Sequence, residues 1–160
     1  SGNMPERSII DLWQHLTRNR TVLTTEDNEP IRIIYPGRIN HSRGADFCDA
    51  VVATRRGILK GDIEVHIKSG DWRGHHHHQN PNYNRVILHV VLKRHQAGTN
   101  VNPDRYIPMV VLDKYRTDFT ARGPRHSQPS PHNTDSMACA IGSRSTAAMT
   151  QFLDLSLIHI

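Results

Sequence analysis

The sequence has few apolar residues, few aromatic residues and only two cysteines. Hydrophobic residues make up 36% and aromatic residues 6% of its 160 positions, which predicts a modest core and a good deal of irregular structure. No apolar run reaches the ~20 residues of a transmembrane helix, and the N-terminus lacks the apolar stretch of a secretory signal, so we expect a cytoplasmic protein. Cys48 and Cys139 match no metal-ligand spacing. In the cytosol we expect free thiols, with Cys48 packed in a strand, and the alternative is a disulfide between the two.

Basic residues outnumber acidic ones but form no basic tail. The chain carries 20 Lys and Arg against 15 Asp and Glu, a net charge of +5. This balance is compatible with a nucleic-acid partner and gives no reason to expect a membrane partner. Because the basic residues are spread along the chain, the charge alone does not identify what the protein binds.

The hydrophobic pattern predicts one amphipathic helix followed by strands. Apolar residues recur at helical spacing over residues 5–19. Two hairpins follow: TVLTT with PIRIIYP, and then residues 47–53 with residues 59–68. The segment RVILHVVLKRH is apolar on both faces except for His89, which is typical of a central strand. RYIPMVVL is predicted to be one more strand, in which Pro108 indicates a sheet edge or a bulge.

These elements predict an α+β fold, with an N-terminal helix packed on a mostly antiparallel β-sheet. We expect a single domain over residues 5–115. After about Arg116 the sequence becomes rich in proline, serine and charge, which is typical of a linker or a disordered loop. Residues 116–160 are therefore expected to be irregular, and their abrupt apolar end suggests a truncated or non-native segment.

Acidic and basic side chains alternate on the second strand of the second hairpin. Asp62, Glu64, His66 and Lys68 share one face there, and Asp46 precedes the neighbouring strand. Two carboxylates on adjacent strands suit Mg²⁺ or Mn²⁺, and His66 or Lys68 would orient a water for attack on a phosphodiester. The spacing is similar to the PD-(D/E)XK nuclease pattern, with AD in place of PD and His66 where that pattern has Lys. The alternative is a polar strand face exposed to solvent.

Histidines are concentrated in one part of the chain. Seven of the twelve fall within residues 66–95, and four of these are consecutive. Imidazole is a good ligand for Zn, Fe or Cu. Since four consecutive side chains cannot all face one metal, His75 and His77 are the expected ligands of the loop, with His66 or His89 supplied by a strand. The alternatives are a polar loop and, for His89, a core histidine bonded to backbone.

Further residues near these clusters are candidates for contacts with a substrate. Arg38, Asn40 and Arg43 precede Asp46 and would hold an anionic substrate. Trp72 and Tyr83 flank the histidine loop and would stack on a base or a sugar. Alternatively, the asparagine shapes a turn and the aromatic residues pin the loop onto the sheet. Asp71 is a candidate for fixing the tautomer of a ligand histidine. The candidate substrate contacts are Arg38, Asn40, Arg43, Trp72 and Tyr83.

Several motifs, taken in order, resemble one bacterial family. GRIN with GADFCDA, then GDIEVHIKSGDW, then H-x-H with PNYNRVILHVVL, and IPMVVL are similar to the pattern catalogued as domain of unknown function 2851, over roughly residues 9–115. Ala45, Gly70 and Asn80 depart from the family's usual Pro, Ser and Asp. The resemblance implies a bacterial, cytosolic protein and supplies no activity. Its motif positions are Asn40, Gly44, Asp46, Phe47, Glu64, His66, Ser69, Asp71, Trp72, His75, His77, Tyr83 and His89.

Three functions follow as hypotheses. The first is a metal-dependent phosphodiesterase or nuclease acting on nucleic acid, with Mg²⁺ or Mn²⁺ and catalytic residues Asp46, Glu64, His66 and Lys68. The second is an enzyme with a histidine-ligated Zn, Fe or Cu ion, held by His66, His75, His77 and His89. The third is a non-catalytic module that binds nucleic acid or protein through its polar face. The identity of the metal separates the first two hypotheses, and a site that binds no metal favours the third.

Overall fold

The structure is a computed structural model that describes residues 4–95, 100–102 and 105–117. Its first element is helix α1, Glu6–Arg18, which confirms the helix predicted over residues 5–19. The apolar stripe of this helix is buried and docks the helix onto the sheet. The buried residues of the stripe are Ile9, Leu12, Trp13 and Leu16.

Nine strands follow in the described part of the chain, and seven of them form one sheet. The sheet order is β1-β2-β4-β5-β6-β9, with β3 also paired to β4, while β7 and β8 pair only with each other. Both predicted hairpins are present, as β1–β2 and β4–β5. The strands are β1 (Leu23–Thr24), β2 (Pro30–Tyr35), β3 (Arg38–Ile39), β4 (Phe47–Thr54), β5 (Gly57–Lys68), β6 (Val86–Lys93), β7 (Asn100–Asn102), β8 (Arg105–Tyr106) and β9 (Met109–Val111).

The large sheet is mixed, and the α+β class is confirmed. The pairs β1–β2, β2–β4, β3–β4 and β4–β5 are antiparallel, whereas β5–β6 and β6–β9 are parallel. Strand β6 lies between β5 and β9, as its two apolar faces predicted. A parallel β5–β6 pair requires a long return connection. That connection contains the four-residue helix α2 (Asp71–Gly74) and two short 3₁₀ helices, and it carries the consecutive histidines.

The two faces of β5 have different partners. Ile63 and Val65 join the hydrophobic core that includes the stripe of α1. The opposite face carries Asp62, Glu64 and His66, which are only 0%, 5% and 3% exposed. A strand face exposed to solvent is therefore excluded as an explanation for this pattern of polar residues.

Cys48 corrects one expectation from the sequence. It is buried in β4, as expected, but it is disulfide-bonded rather than a free thiol. The other cysteine, Cys139, lies outside the described residues, as does most of the predicted C-terminal linker and irregular segment. Within the described ranges, no helix has both the length and the apolar character needed to cross a membrane.

Candidate metal centre

Three strands and the return connection bring the candidate residues together. Phe47 of β4 pairs with Ile63 of β5, so Asp46, just before β4, lies beside the start of the Glu64 and His66 face. Glu64 in turn pairs with His89 of the parallel strand β6. Directly paired residues point to the same face of a sheet, and these side chains therefore converge.

Asp46 and Glu64 form an adjoining pair of carboxyl groups, of which Glu64 is buried and Asp46 is half-buried. The Asp46 N–H donates to Glu64 Oε2 at 3.1 Å, and the Val65 N–H donates to Asp46 Oδ2 at 2.9 Å. Burial raises the pKa of Asp46 to about 6. Burial, followed by the nearby Asp46 carboxylate, raises the pKa of Glu64 to about 9. Glu64 therefore carries a proton at neutral pH unless a cation stabilises its charge.

Glu64, His66 and His77 direct three ligand atoms at one another. Glu64 Oε1 lies 3.3 Å from His66 Nε2 and 3.4 Å from His77 Nε2, and the two Nε2 atoms are 3.2 Å apart. Tetrahedral coordination with bonds of about 2.0–2.1 Å separates neighbouring ligands by about 3.3–3.4 Å, whereas octahedral coordination with the same bonds separates them by about 2.9 Å. The observed triangle has the dimensions of one face of a tetrahedral site.

His75 completes the cluster on its exposed side. One ligand atom from each of His66, His75 and His77 lies within 4.8 Å of the others, and His75 is the exposed member of this group. Burial, with nearby imidazoles second, lowers the pKa of His66 to about 3 and that of His77 to about 4. Both rings are therefore neutral at physiological pH, the state in which imidazole binds metals.

Aromatic rings and a further histidine surround the ligand triangle. His89 Nε2 lies 2.8 Å from His66 Nδ1, and the Trp72 ring packs against His89 with centroids 5.2 Å apart. The Tyr83 ring lies on His77 with centroids 3.8 Å apart. Burial, with the charges of Glu64 and Asp46 next, raises the pKa of Tyr83 to about 12, so its phenol stays protonated. Trp72 and Tyr83 thus pack against the histidines and hold the loop onto the sheet.

The remaining candidates lie at the edge of the cluster or away from it. Lys68 is exposed at the end of β5, and its backbone N–H donates to Asp71 Oδ2 at 2.9 Å. Asn40 shapes a turn, since its side-chain Nδ2 donates to the carbonyls of Arg43 and Ala45. Arg43 is exposed.

Arg38 forms an ion pair with Asp49, an acidic residue that was not a candidate from the sequence. Arg38 and Arg85 each donate to the Asp49 carboxylate at 2.8 Å. The Asp49 N–H in turn donates to Asp62 Oδ1 at 3.1 Å. Asp62 is fully buried, and its Oδ2 has no hydrogen-bond partner among the described residues. Alternation along β5 places Asp62 on the Glu64 face, but the sequence gives no sign of its contact with Asp49.

Comparison with known proteins gives one match. A family described as "Protein of unknown function (DUF2851)" matches residues 6–152, well over half of the chain. No curated protein and no solved structure matches the chain. The chain belongs to the DUF2851 family.

Proposed function

We propose that this protein is a metal-dependent hydrolase that binds one transition-metal ion, of which Zn²⁺ is the best fit, through Glu64, His66 and His77. The triangle of Glu64 Oε1 and the two histidine Nε2 atoms, with sides of 3.2, 3.3 and 3.4 Å, carries this proposal. His75 is the fourth protein group within reach on the exposed side. Two histidines and one glutamate are a ligand set found in catalytic zinc sites.

The composition of the ligand triangle favours a transition metal over Mg²⁺. Two of its three atoms are imidazole nitrogens, whereas Mg²⁺ prefers oxygen ligands at octahedral spacing. The adjoining carboxyl groups also favour a bound cation, because a divalent ion would offset the free-energy cost of ionising buried Glu64 beside Asp46. The sequence hypothesis of a Mg²⁺ or Mn²⁺ nuclease that uses Lys68 is therefore the less favoured one.

The bound ion would supply an activated water, because a catalytic Zn²⁺ brings the pKa of its water near neutrality. Asp46 suits the role of general base, since its pKa of about 6 lies close to the working pH. The backbone N–H of Val65 holds one Asp46 oxygen in place. Tyr83 stays protonated next to His77 and is available as a hydrogen-bond donor to an anionic group.

A phosphodiesterase that uses Mg²⁺ or Mn²⁺ is the second candidate. The observation in its favour is the adjoining pair of carboxyl groups formed by half-buried Asp46, just before β4, and buried Glu64 of β5. The net charge of +5 is compatible with a nucleic-acid substrate. A docking module without chemistry is the least favoured reading, because Asp62, Glu64 and His66 are buried and cannot form a contact surface.

Metal binding is the first test. Untagged protein is stripped with a chelator, and its affinity for Zn²⁺ and Co²⁺ is measured by titration, with elemental analysis of the reloaded protein. We expect one ion per chain in the wild type and weaker binding by at least about tenfold in Glu64→Gln and His77→Ala, since each variant loses a ligand. His76→Asn is the matched control: it removes an imidazole of the same loop, and asparagine tolerates the positive φ of 57° at that position. A wild type that binds neither ion would refute the proposed centre.

Hydrolysis is the second test. The reloaded protein is incubated with carboxylic ester, phosphomonoester and phosphodiester chromogenic substrates, and with single- and double-stranded DNA. We expect turnover with Zn²⁺ that is abolished in Glu64→Gln and strongly reduced in Asp46→Asn, while His76→Asn keeps wild-type turnover. DNA cleavage that needs Mg²⁺ or Mn²⁺ and that Zn²⁺ does not support would instead select the second candidate.

A further inference from the structure

His89 lies on a central strand of the sheet, unlike the loop histidines His75 and His77. It lies in the middle of β6, where it pairs with Glu64 of β5 on one side and with Met109 of β9 on the other. Its backbone N–H donates to the Pro108 carbonyl at 3.0 Å, and the residue is fully buried. A side chain on a strand with neighbours on both sides is held more precisely than one on a loop.

The imidazole of His89 contacts the Nδ1 side of the His66 ring. Its Nε2 lies 2.8 Å from Nδ1 of His66, on the opposite side of that ring from the Nε2 that approaches Glu64 and His77. His89 is also absent from the group of histidines whose ligand atoms converge within 4.8 Å. It therefore contacts a ligand rather than the space that the ligands surround.

A hydrogen bond between two neutral imidazoles contains one proton, and its position determines what His66 can do. If His66 donates through Nδ1–H, its Nε2 keeps a lone pair directed at Glu64 and His77. If His89 donates instead, the proton of neutral His66 resides on Nε2, and that atom cannot bind a metal. The two arrangements are thus distinguishable by the tautomer of His66.

We propose that His89 is a positioning residue: it accepts a hydrogen bond from Nδ1–H of His66 and so presents the Nε2 lone pair of His66 to the metal ion. This inference rests on the proposed metal centre. Ligand histidines in proteins regularly donate their second N–H to an acceptor that fixes ring and tautomer. The Trp72 ring packs against both His89 and His66, with centroids 5.2 Å and 6.5 Å away, and restricts rotation of the pair.

A neutral acceptor suits this position better than the usual carboxylate. Buried Glu64 already lies next to half-buried Asp46, and a further carboxylate at the fully buried position of His89 would add a desolvation cost. The carboxylate that the sequence suggested for this role, Asp71, instead accepts the backbone N–H of Lys68. An imidazole acceptor also adds no negative charge to the ligand set, so the ion stays a stronger Lewis acid.

The test compares His89→Leu with His89→Gln in stripped and reloaded protein. Leucine fills similar volume and offers no acceptor, whereas glutamine places an amide oxygen near the former Nε2. We expect His89→Leu to bind Zn²⁺ 10–100-fold more weakly, the loss seen when the partner of a ligand histidine is removed. His89→Gln should stay within about threefold of wild type, because its amide oxygen is a competent acceptor. Urea unfolding of each metal-free variant controls for loss of the fold.

Two readouts separate this inference from the proposed centre itself. Long-range ¹H–¹⁵N correlation spectra of the metal-free wild type report the tautomer of His66, and we expect the Nδ1–H form. The opposite tautomer, or equal Zn²⁺ affinity in wild type and His89→Leu, would overturn the role of His89 while leaving the metal centre in place. A wild type that binds no Zn²⁺ or Co²⁺ would overturn both. The absorption bands of bound Co²⁺ should also shift in His89→Leu and return toward the wild-type spectrum in His89→Gln.

Discussion

Replacing Glu64 with glutamine tests whether its burial makes the metal-free protein less stable as the pH rises. The pKa of Glu64 is raised to about 9 in the fold, against about 4.3 in an unfolded chain. Between these two values the folded state holds a proton that the unfolded state has lost. The free energy of unfolding therefore falls with increasing pH across this window, by about 1.4 kcal/mol per pH unit for one proton.

Other groups limit the range of pH in which Glu64 acts alone. The pKa values of His66, His77 and His89 are lowered to about 3, 4 and 3, so these residues add stability as the pH rises toward their unfolded value of about 6.5. The pKa of Asp46 is raised to about 6, and its destabilising effect is complete near that pH. From pH 7 to 8.5 Glu64 makes the largest change among these groups and lowers the free energy of unfolding by about 2 kcal/mol. Deprotonation of the three histidines in the unfolded chain offsets about 0.5 kcal/mol of this, so the expected net loss is about 1.5 kcal/mol.

Urea unfolding in the presence of a chelator measures this loss. The emission of Trp13 and Trp72, both buried, reports unfolding. We expect the wild type to lose about 1.5 kcal/mol between pH 7 and 8.5 and Glu64→Gln to lose no stability over this range. The control Glu29→Gln, at a partly exposed carboxylate in the β1–β2 turn, should keep the wild-type loss. Saturating Zn²⁺ should remove the loss, because the ion stabilises the ionised carboxylate. A metal-free wild type with constant stability across this range would refute the reasoning.

Three further substitutions test other contacts of the fold, each by urea unfolding at pH 7. Gly61→Ala should cost about 1–3 kcal/mol, because the added Cβ meets the carbonyl oxygen of Arg85, the residue before β6; an unchanged midpoint would contradict this contact. Trp13→Ala should cost about 3–5 kcal/mol, since the ring is fully buried in the core. Asp49→Asn should cost about 1 kcal/mol, because Asp49 is partly exposed and its ion pairs are screened. Its hydrogen bond with Arg38 lowers the pKa of Asp49, so this cost should shrink as the pH falls below about 3.9.

Local periodicity was sufficient for α1 and the longer strands, but not for the short strand β3, and the one strand predicted over RYIPMVVL was wrong: it is divided into β8 and β9, which belong to different sheets. The stripe that contains Trp13 identified α1, and alternation identified the β4–β5 hairpin and the shared face of Glu64 and His66. Alternation along the loop also predicted that His75 and His77, rather than their neighbours His76 and His78, face the candidate site. His75 and His77 lie next to His66, with ring centroids 5.3 and 5.1 Å from it.

Spacing along the chain could not predict which residues contact the side chains of Glu64 and His66. Whether the Glu64 face is exposed or buried depends on which segment covers it, and the return connection of the parallel β5–β6 pair does so. The parallel pairing of β5 and β6 also places His89 against Nδ1 of His66 rather than among the proposed metal ligands. Lys68, at the end of β5, stays exposed.

The sequence alone therefore specified α1, the longer strands and the residues that share a face, because these follow from the repeat of the backbone within a single segment. The pairing of β5 with β6, the covering loop and the resulting 3.2–3.4 Å distances among Glu64, His66 and His77 depend on contacts between segments far apart in the chain. Coordination geometry, and the buried surroundings that shift the pKa values of the carboxyl and imidazole groups, are set by those long-range contacts, and no local pattern contains them.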